Sequence, residues 1–430
     1  MGLKIAVVGG GSTYTPELVD GLATRARRLP VDELALLDVD HERLAVVGGL
    51  AGRMLDRAGW SGRLTQSTRR EEAIEGADFV VVQLRVGGQA MRLADETLPL
   101  EFGCVGQETT GPGGFAKALR TVPVVLELAE ETARRAAPGA WFVDFTNPVG
   151  IVTQALLDHG HRAIGLCNSA IGFQRRFAAH FGVAPERVEL EHVGLNHLTW
   201  ERAVTVDGVD RLPELLDRQA DQLAAEVGLP AGLLRALRVV PSHYLRYYYA
   251  TAEVLDEQRR RPSRAEEVMA IERGLLELYR DPALDTKPDL LERRGGAFYS
   301  EAAAALIASI YAGTGDVQVV DVRNDGALPG LPDDAVVEVP ARIDARGGHP
   351  LPLAPLAPEL LGLVQQAKAY ERLAVEAALG GDRTAALKAL LANPLVREYR
   401  VAAPLLDALL QKSRPYLPRY FPADREPARR

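Results

Sequence analysis

A chain of 430 residues is too long for one ordinary core and suits two closely packed domains. Its 47% hydrophobic and 25% charged residues are those of a globular protein, and a net charge of −8 argues against a general nucleic-acid binder, which needs basic patches. Cys104 and Cys167 alone set up no disulfide framework, no apolar run approaches the ~20 residues of a membrane helix, and Met1-Gly2-Leu3-Lys4 enters a strand without a signal-peptide core, so a cytoplasmic location is expected.

Residues 3–8 are a short apolar run ending in Gly9-Gly10-Gly11-Ser12, which reads as a buried parallel strand and its turn. Thr15-Pro16-Glu17 then opens a helix, with Thr15 as N-cap and Pro16 in the first turn. Residues 33–37 form a second strand with Asp38 at its carboxyl end, and 40–56 have helical spacing. Further apolar runs at 64–67, 79–84, 141–145 and 163–167 are mostly separated by helical segments. This alternation predicts an α/β fold with a Rossmann-type doubly wound parallel sheet. Between them, 86–115 holds Gly87, Gly88, Gly103, Gly106, Gly111, Gly113 and Gly114 and is read as an active-site loop.

After Cys167 the pattern changes. Residues 188–193 and 198–206 read as strands of a second sheet, followed by helical segments at 212–227, 241–255, 263–279, 299–311, 358–379 and 383–391 and late strands at 317–322 and 336–339. The expected division is a NAD-binding domain over 1–187 and a C-terminal α+β domain over 188–430 that carries catalytic and substrate groups. Residues 422–430 are polar and expected to fray.

Gly9-Gly10-Gly11-Ser12 departs from a full GxGxxG, because Tyr14 takes the sixth position. A strand, a tight glycine turn and a helix N-terminus nonetheless present N–H groups to a pyrophosphate. Asp38 stands where a carboxylate meets a ribose 2′-hydroxyl, which favours NAD over NADP. Gly9, Gly10, Gly11, Ser12, Asp38 and Arg43 are the expected cofactor set; an ordinary strand–helix turn with a surface Asp is the plainer account. Thr146-Asn147-Pro148 follows a parallel strand on the crevice side, although Asn147 as N-cap with Pro148 first in a helix would explain it equally. Cys167 and His197 each end an apolar stretch. A lone Cys is usually a buried structural thiol, and a lone His is usually a satisfied core or surface residue. With Asn168 and Asn196 beside them, a soft sulfur and an imidazole also suit a borderline divalent ion, and two protein ligands leave positions open for substrate.

These motifs together resemble the family 4 glycoside hydrolases, NAD- and metal-dependent 6-phospho-glycosidases that stand outside two-carboxylate glycosidase chemistry. The resemblance runs nearly end to end. It rests on Val8-Gly9-Gly10-Gly11-Ser12, Gly106-Gln107-Glu108-Thr109-Thr110-Gly111, Phe145-Thr146-Asn147-Pro148, Gly165-Leu166-Cys167-Asn168, Gly194-Leu195-Asn196-His197-Leu198, Tyr244-Leu245-Arg246-Tyr247-Tyr248 and Arg294-Gly295-Gly296-Ala297. It implies a fold like that of the lactate and malate dehydrogenases, Cys167 and His197 as ligands of a catalytic Mn²⁺ or similar ion, and Tyr244 as the base at sugar C2. It places Arg92 and Asn147 on the substrate and Arg264 on a 6-phosphate. The implied reaction is C3 oxidation by NAD, C2 deprotonation, elimination, water addition and re-reduction, on a phosphorylated sugar. Separately, exposed faces of the long helices suggest a homodimer or homotetramer. Members acting on α-linked sugars tend to carry Asp after the metal Cys, so Asn168 resembles the β-type, the 6-phospho-β-glucosidases. The β-type usually continues Val-Pro, where this chain has Ser169-Ala170.

Three other readings compete. A hydroxy-acid dehydrogenase would share the Rossmann half and Asn147 but leave Cys167 and the 106–111 motif unexplained. A non-enzymatic NAD sensor would not need the Tyr and metal cluster. Within the family, α-linked substrates or unphosphorylated uronides are the alternatives.

Overall fold

Alternate residues of the first strand face two separate cores. Ile5 and Val7 join one cluster, Ala6 and Val8 the other, so the strand is buried on both faces and reads as a continuous apolar run. The computed structural model describes residues 2–26, 28–295 and 298–422; the expected frayed end falls outside these from residue 423 on. Six strands follow the alternating pattern: β1 (Leu3–Val8), β2 (Val31–Leu37), β3 (Arg63–Ser67), β4 (Phe79–Val82), β5 (Trp141–Asp144) and β6 (Ala163–Gly165). They are parallel neighbours in the order β3-β2-β1-β4-β5-β6. This is the doubly wound order, whose switch point lies between β1 and β4 and whose ligand crevice lies at the carboxyl ends.

The second sheet consists of β7 (Val188–Leu195), β8 (Leu198–Val206), β9 (Val209–Asp210) and β10 (Val240–Pro241). The late strands β11 (Asp316–Arg323), β12 (Val336–Asp344) and β13 (Gly347–Pro350) do not join it. They extend the first sheet antiparallel beyond β6, with Asp321 paired to Gly165, giving nine strands. Residues distant in sequence thereby reach the strand that precedes Cys167.

Four local expectations are corrected. Segment 86–115 is mostly two helices, Gly88–Glu101 and the start of Gly111–Arg135, leaving 86–87 and 102–110 as loop. Its glycines serve helix ends and close packing: Gly87 takes φ +84° at an N-cap, and a Cβ on Gly113 would lie 2.2 Å from the Asp95 carbonyl oxygen. The single helix expected over 241–255 is broken into β10, a 3₁₀ turn His243–Leu245 and helices Arg246–Tyr249 and Thr251–Arg260, with Ala250 non-helical between them. The first helix, Thr15–Ala23, is not capped by Thr15; the Thr15 Oγ1 instead accepts from Gln83 Nε2 at 2.9 Å. Asn147 is no N-cap either, because the helix begins at Val149 after a cis Asn147–Pro148 bond. The helix Tyr399–Ser413 was not anticipated; it covers the second core with Leu405, Leu406, Leu409 and Leu410.

Candidate active site

A cavity of about 990 Å³ opens at the carboxyl ends of the parallel strands. Gly9, Ser12, Asp38 and Arg43 line it at one end, Asn147, Asn168 and Tyr244 at the other, with Arg92 and Arg264 also in its wall. Gly10, Gly11, Cys167 and His197 are not part of the lining surface.

The glycine end is fixed by backbone geometry. The Gly9 and Gly10 N–H groups donate to the Leu37 carbonyl at 2.9 and 2.8 Å. Gly9 has φ +87°, and a Cβ there would lie 2.8 Å from the Gln83 carbonyl oxygen, so only glycine fits this turn. The Gly11 N–H donates to Asp38 Oδ2 at 2.9 Å, which pins the carboxylate beside the turn. Arg43 braces the turn, donating from Nε to the Gly11 carbonyl at 3.0 Å and from Nη2 to Glu272 at 3.2 Å. Glu272, on the helix Arg264–Tyr279, also accepts from Arg294 at 3.0 Å and Gln89 at 2.9 Å. Arg294 Nε donates to Thr13 Oγ1 at 2.7 Å. Of the predicted 294–297 motif, residues 296 and 297 lie outside the described residues.

A cationic group stands midway. Glu108 is paired with Arg85, with Lys117 at 2.6 Å and with Arg92 at 3.3 Å. Burial works to raise its carboxyl, but Arg85, Lys117 and Arg92 outweigh burial and hold it well below the usual range. Arg92 also pairs with Glu96 at 2.7 Å. Arg264 opens the helix Arg264–Tyr279; its guanidinium meets Glu267 at 2.8 Å and the Arg293 carbonyl at 2.8 Å, and is 45% exposed.

The opposite end is built from buried side chains. Cys167 follows β6 by two residues and His197 is the second residue of the two-residue turn joining β7 to β8. His197 holds φ +62°, a left-handed conformation usually left to Gly or Asn in such turns. Strain of this kind points to a constrained role. The Tyr244 ring stacks on the His197 ring with centroids 3.8 Å apart and planes at 19°, and His243 lies against Tyr244 at 4.1 Å. Burial pushes His197 down to about 3, keeping the imidazole neutral. Burial, then the nearby Glu338, pushes the Cys167 thiol well up, and burial and Cys167 do the same to the Tyr244 phenol. His197 Nδ1 and Asn147 Oδ1 are buried without a hydrogen-bond partner among the described residues. A neutral imidazole with an unpartnered nitrogen and a buried thiol, both near Tyr244, make a donor set that fits a borderline divalent ion. No group of three or more His, Cys, Asp or Glu poised for a metal occurs among the described residues, so the protein's share would be these two.

Several groups escaped the sequence reading. Glu108 stood inside a quoted motif without a role, and its partners Arg85 and Lys117 carried no local signal. Glu272 is one acidic residue among many on its helix. Glu338 did carry one: a carboxylate inside the apolar run 336–339 must be buried and paired.

Comparison with known proteins agrees with this architecture. Residues 4–183 match the model of family 4 glycosyl hydrolases, and 192–396 that of the family 4 glycosyl hydrolase C-terminal domain. The chain belongs to the family 4 glycosyl hydrolases. It is 43% identical over 435 residues to a probable 6-phospho-beta-glucosidase of Bacillus subtilis, covering 98% of each chain. It superimposes on the 6-phospho-beta glucosidase of Thermotoga maritima, solved with manganese, NAD+ and glucose-6-phosphate, with a TM-score of 0.90 and 36% identity over 96% of this chain and 99% of that one. Likeness to malate dehydrogenase from Plasmodium falciparum (TM-score 0.53, 15% identity, 88% and 98% covered) is one of fold alone.

Proposed function

We propose that this enzyme hydrolyses 6-phospho-β-glucosides, cellobiose 6-phosphate being one such substrate, with NAD and Mn²⁺ as cofactors. One observation carries the reading: a single cavity joins the glycine turn and Asp38 to Tyr244, which is stacked on the buried His197. The β-specific names of its relatives and Asn168 after Cys167 support the anomeric choice over α-linked or uronide substrates. Bound NAD would accept and return a hydride at sugar C3, and Mn²⁺ would polarise the C2 and C3 oxygens. Cys167 and His197 are assigned to the ion. The turn residues Gly9, Gly10, Gly11 and Ser12, with Asp38 and Arg43, are assigned to the dinucleotide. Tyr244 is assigned the C2 proton, Arg92, Asn147 and Asn168 the sugar, and Arg264 the 6-phosphate, where a planar guanidinium matches two phosphate oxygens. The glycosidic C1–O bond breaks and water supplies the new hydroxyl, so no net redox occurs. A plain dehydrogenase would consume NAD in proportion to product. We further propose that residues 1–187 carry the dinucleotide and 188–430 most catalytic and substrate groups, and that the enzyme is a cytoplasmic homodimer or homotetramer. Two unpaired cysteines suit a reducing compartment, and Tyr311 and Val317 are half-exposed apolar residues available to an interface. No helix among the described residues is long and apolar enough to cross a membrane.

The test is an assay on α- and β-linked chromogenic glucoside 6-phosphates with NAD and Mn²⁺, repeated after stripping both. The β-substrate should turn over only with both present. Undiminished turnover after stripping would sink the redox-elimination mechanism. Tyr244→Phe should abolish exchange of the C2 hydrogen with solvent.

A further inference from the structure

We propose that Glu338 is the positioning residue of the Cys167–His197 pair: through Asn196 it anchors the turn that presents His197, and it supplies buried negative charge facing a divalent cation. The inference rests on the metal assignment above and concerns residues that the assignment does not use.

Glu338 lies on β12, a strand of the first sheet, yet it reaches the second sheet. Its Oε2 accepts from Asn196 Nδ2 at 2.7 Å, and its Oε1 lies 2.9 Å from His192 Nε2. The other His192 nitrogen, Nδ1, lies 2.6 Å from Glu201 Oε1, its cross-strand partner on β8. All three of these ionisable side chains are essentially inaccessible to solvent. Two carboxylates, one at each nitrogen, favour an imidazole that donates from both, which makes it a cation. Two carboxylates against one imidazolium leave one negative charge in the interior.

That charge is directed toward the candidate metal pair. Asn196 is the residue before His197, and its side chain is close enough to Cys167 to favour the thiolate. The amide therefore links Glu338, through the backbone, to the imidazole held at φ +62°, and lies near the sulfur. A thiolate and a neutral imidazole around a divalent ion would leave a net charge of +1, which the excess charge of the Glu201–His192–Glu338 group would offset. A purely structural role, bolting the two sheets together, would explain the ion triad. It would not require the second Glu338 oxygen to hold the turn that carries His197.

The experiment titrates Mn²⁺ into metal-stripped full-length wild type, Glu338→Gln and Asn196→Ala, reading free Mn²⁺ by electron paramagnetic resonance and NAD binding by fluorescence in the same samples. Outer groups that orient metal ligands are worth about 10–100-fold in metal affinity, so both variants should weaken Mn²⁺ by about that factor with NAD affinity kept within about two-fold. Glu338→Asp, which keeps the charge, should recover part of the loss. If Glu338→Gln does not fold by circular dichroism, Asn196→Ala, which leaves the ion triad intact, decides alone. Wild-type Mn²⁺ affinity in the folded variants overturns the inference while leaving the metal assignment standing. Parallel loss of NAD and Mn²⁺ overturns it in favour of a general structural role. A wild type that binds no Mn²⁺ removes the metal assignment, and this inference with it.

Discussion

At the glycine end of the cavity, polar groups are already paired with one another: Gly11 with Asp38, Arg43 with Gly11 and Glu272, and Arg294 with Thr13 and Glu272. At the Cys167–His197 end, the His197 imidazole stacks on the Tyr244 phenol near the buried Cys167 thiol, while His197 Nδ1 and Asn147 Oδ1 lack partners among the described residues. A buried polar atom without a partner costs about 1–3 kcal/mol. The first end is thus preorganised by its own hydrogen bonds, and the second holds donors whose cost a ligand would offset. Changes at one end should leave the other working.

The largest effect is expected from Cys167→Ser. Changes that only reorient metal ligands cost about 10–100-fold in affinity, so loss of a ligand should weaken Mn²⁺ binding and turnover by at least about 100-fold. NAD affinity, measured by fluorescence, should be unchanged. Loss of NAD binding to the same degree would show that the two ends are one cooperative unit.

Gly9→Ala is the converse. The added Cβ meets the Gln83 carbonyl at 2.8 Å on a backbone at φ +87°. The strain should cost on the order of 1–3 kcal/mol, read as a lower Tm and weaker NAD binding. Mn²⁺ affinity should survive, and its loss would again join the ends. Arg264→Ala should act on neither cofactor. Its half-exposed guanidinium, already held by Glu267, should contribute about 1–1.5 kcal/mol to a phosphate, so KM for phosphorylated substrates should rise about ten-fold. An equal rise for phosphate-free substrates would mean that Arg264 does not meet the phosphate.

The sequence exposes these two ends unequally. β1, the glycine turn and Asp38 are contiguous or one unit apart, and parallel strands buried on both faces announce themselves as apolar runs. Cys167 and His197 are each legible as lone residues whose chemistry suits a shared ion; no spacing joins them, and family resemblance is what strengthens the pairing. Local pattern also misassigned 86–115 and 241–255. In the first, glycines that permit close helix packing look the same as loop glycines. In the second, Tyr244 stands on a single 3₁₀ turn whose place is set by stacking on His197, a contact with no periodic trace. Glu338 in its apolar run signals burial, but its partner His192 is 146 residues away and nothing local names it.

His192 gives the smallest and most specific effect. Burial alone would lower it, but Glu201 and Glu338 outweigh burial and raise it to about 10 from an ordinary 6.5. A cation stabilised in the fold binds its proton more tightly there than in the unfolded chain, so its contribution is full below about pH 6.5, shrinks as pH rises and is gone beyond about pH 10. The Tm of the metal-free wild type should therefore fall faster over this window than that of His192→Gln. The variant should begin lower at pH 6 and converge toward wild type near pH 10, with its NAD affinity unaltered. Parallel Tm curves, offset by a constant, would mean that His192 contributes through packing and not through its charge, and the excess negative charge assigned behind Cys167 would have to be recounted.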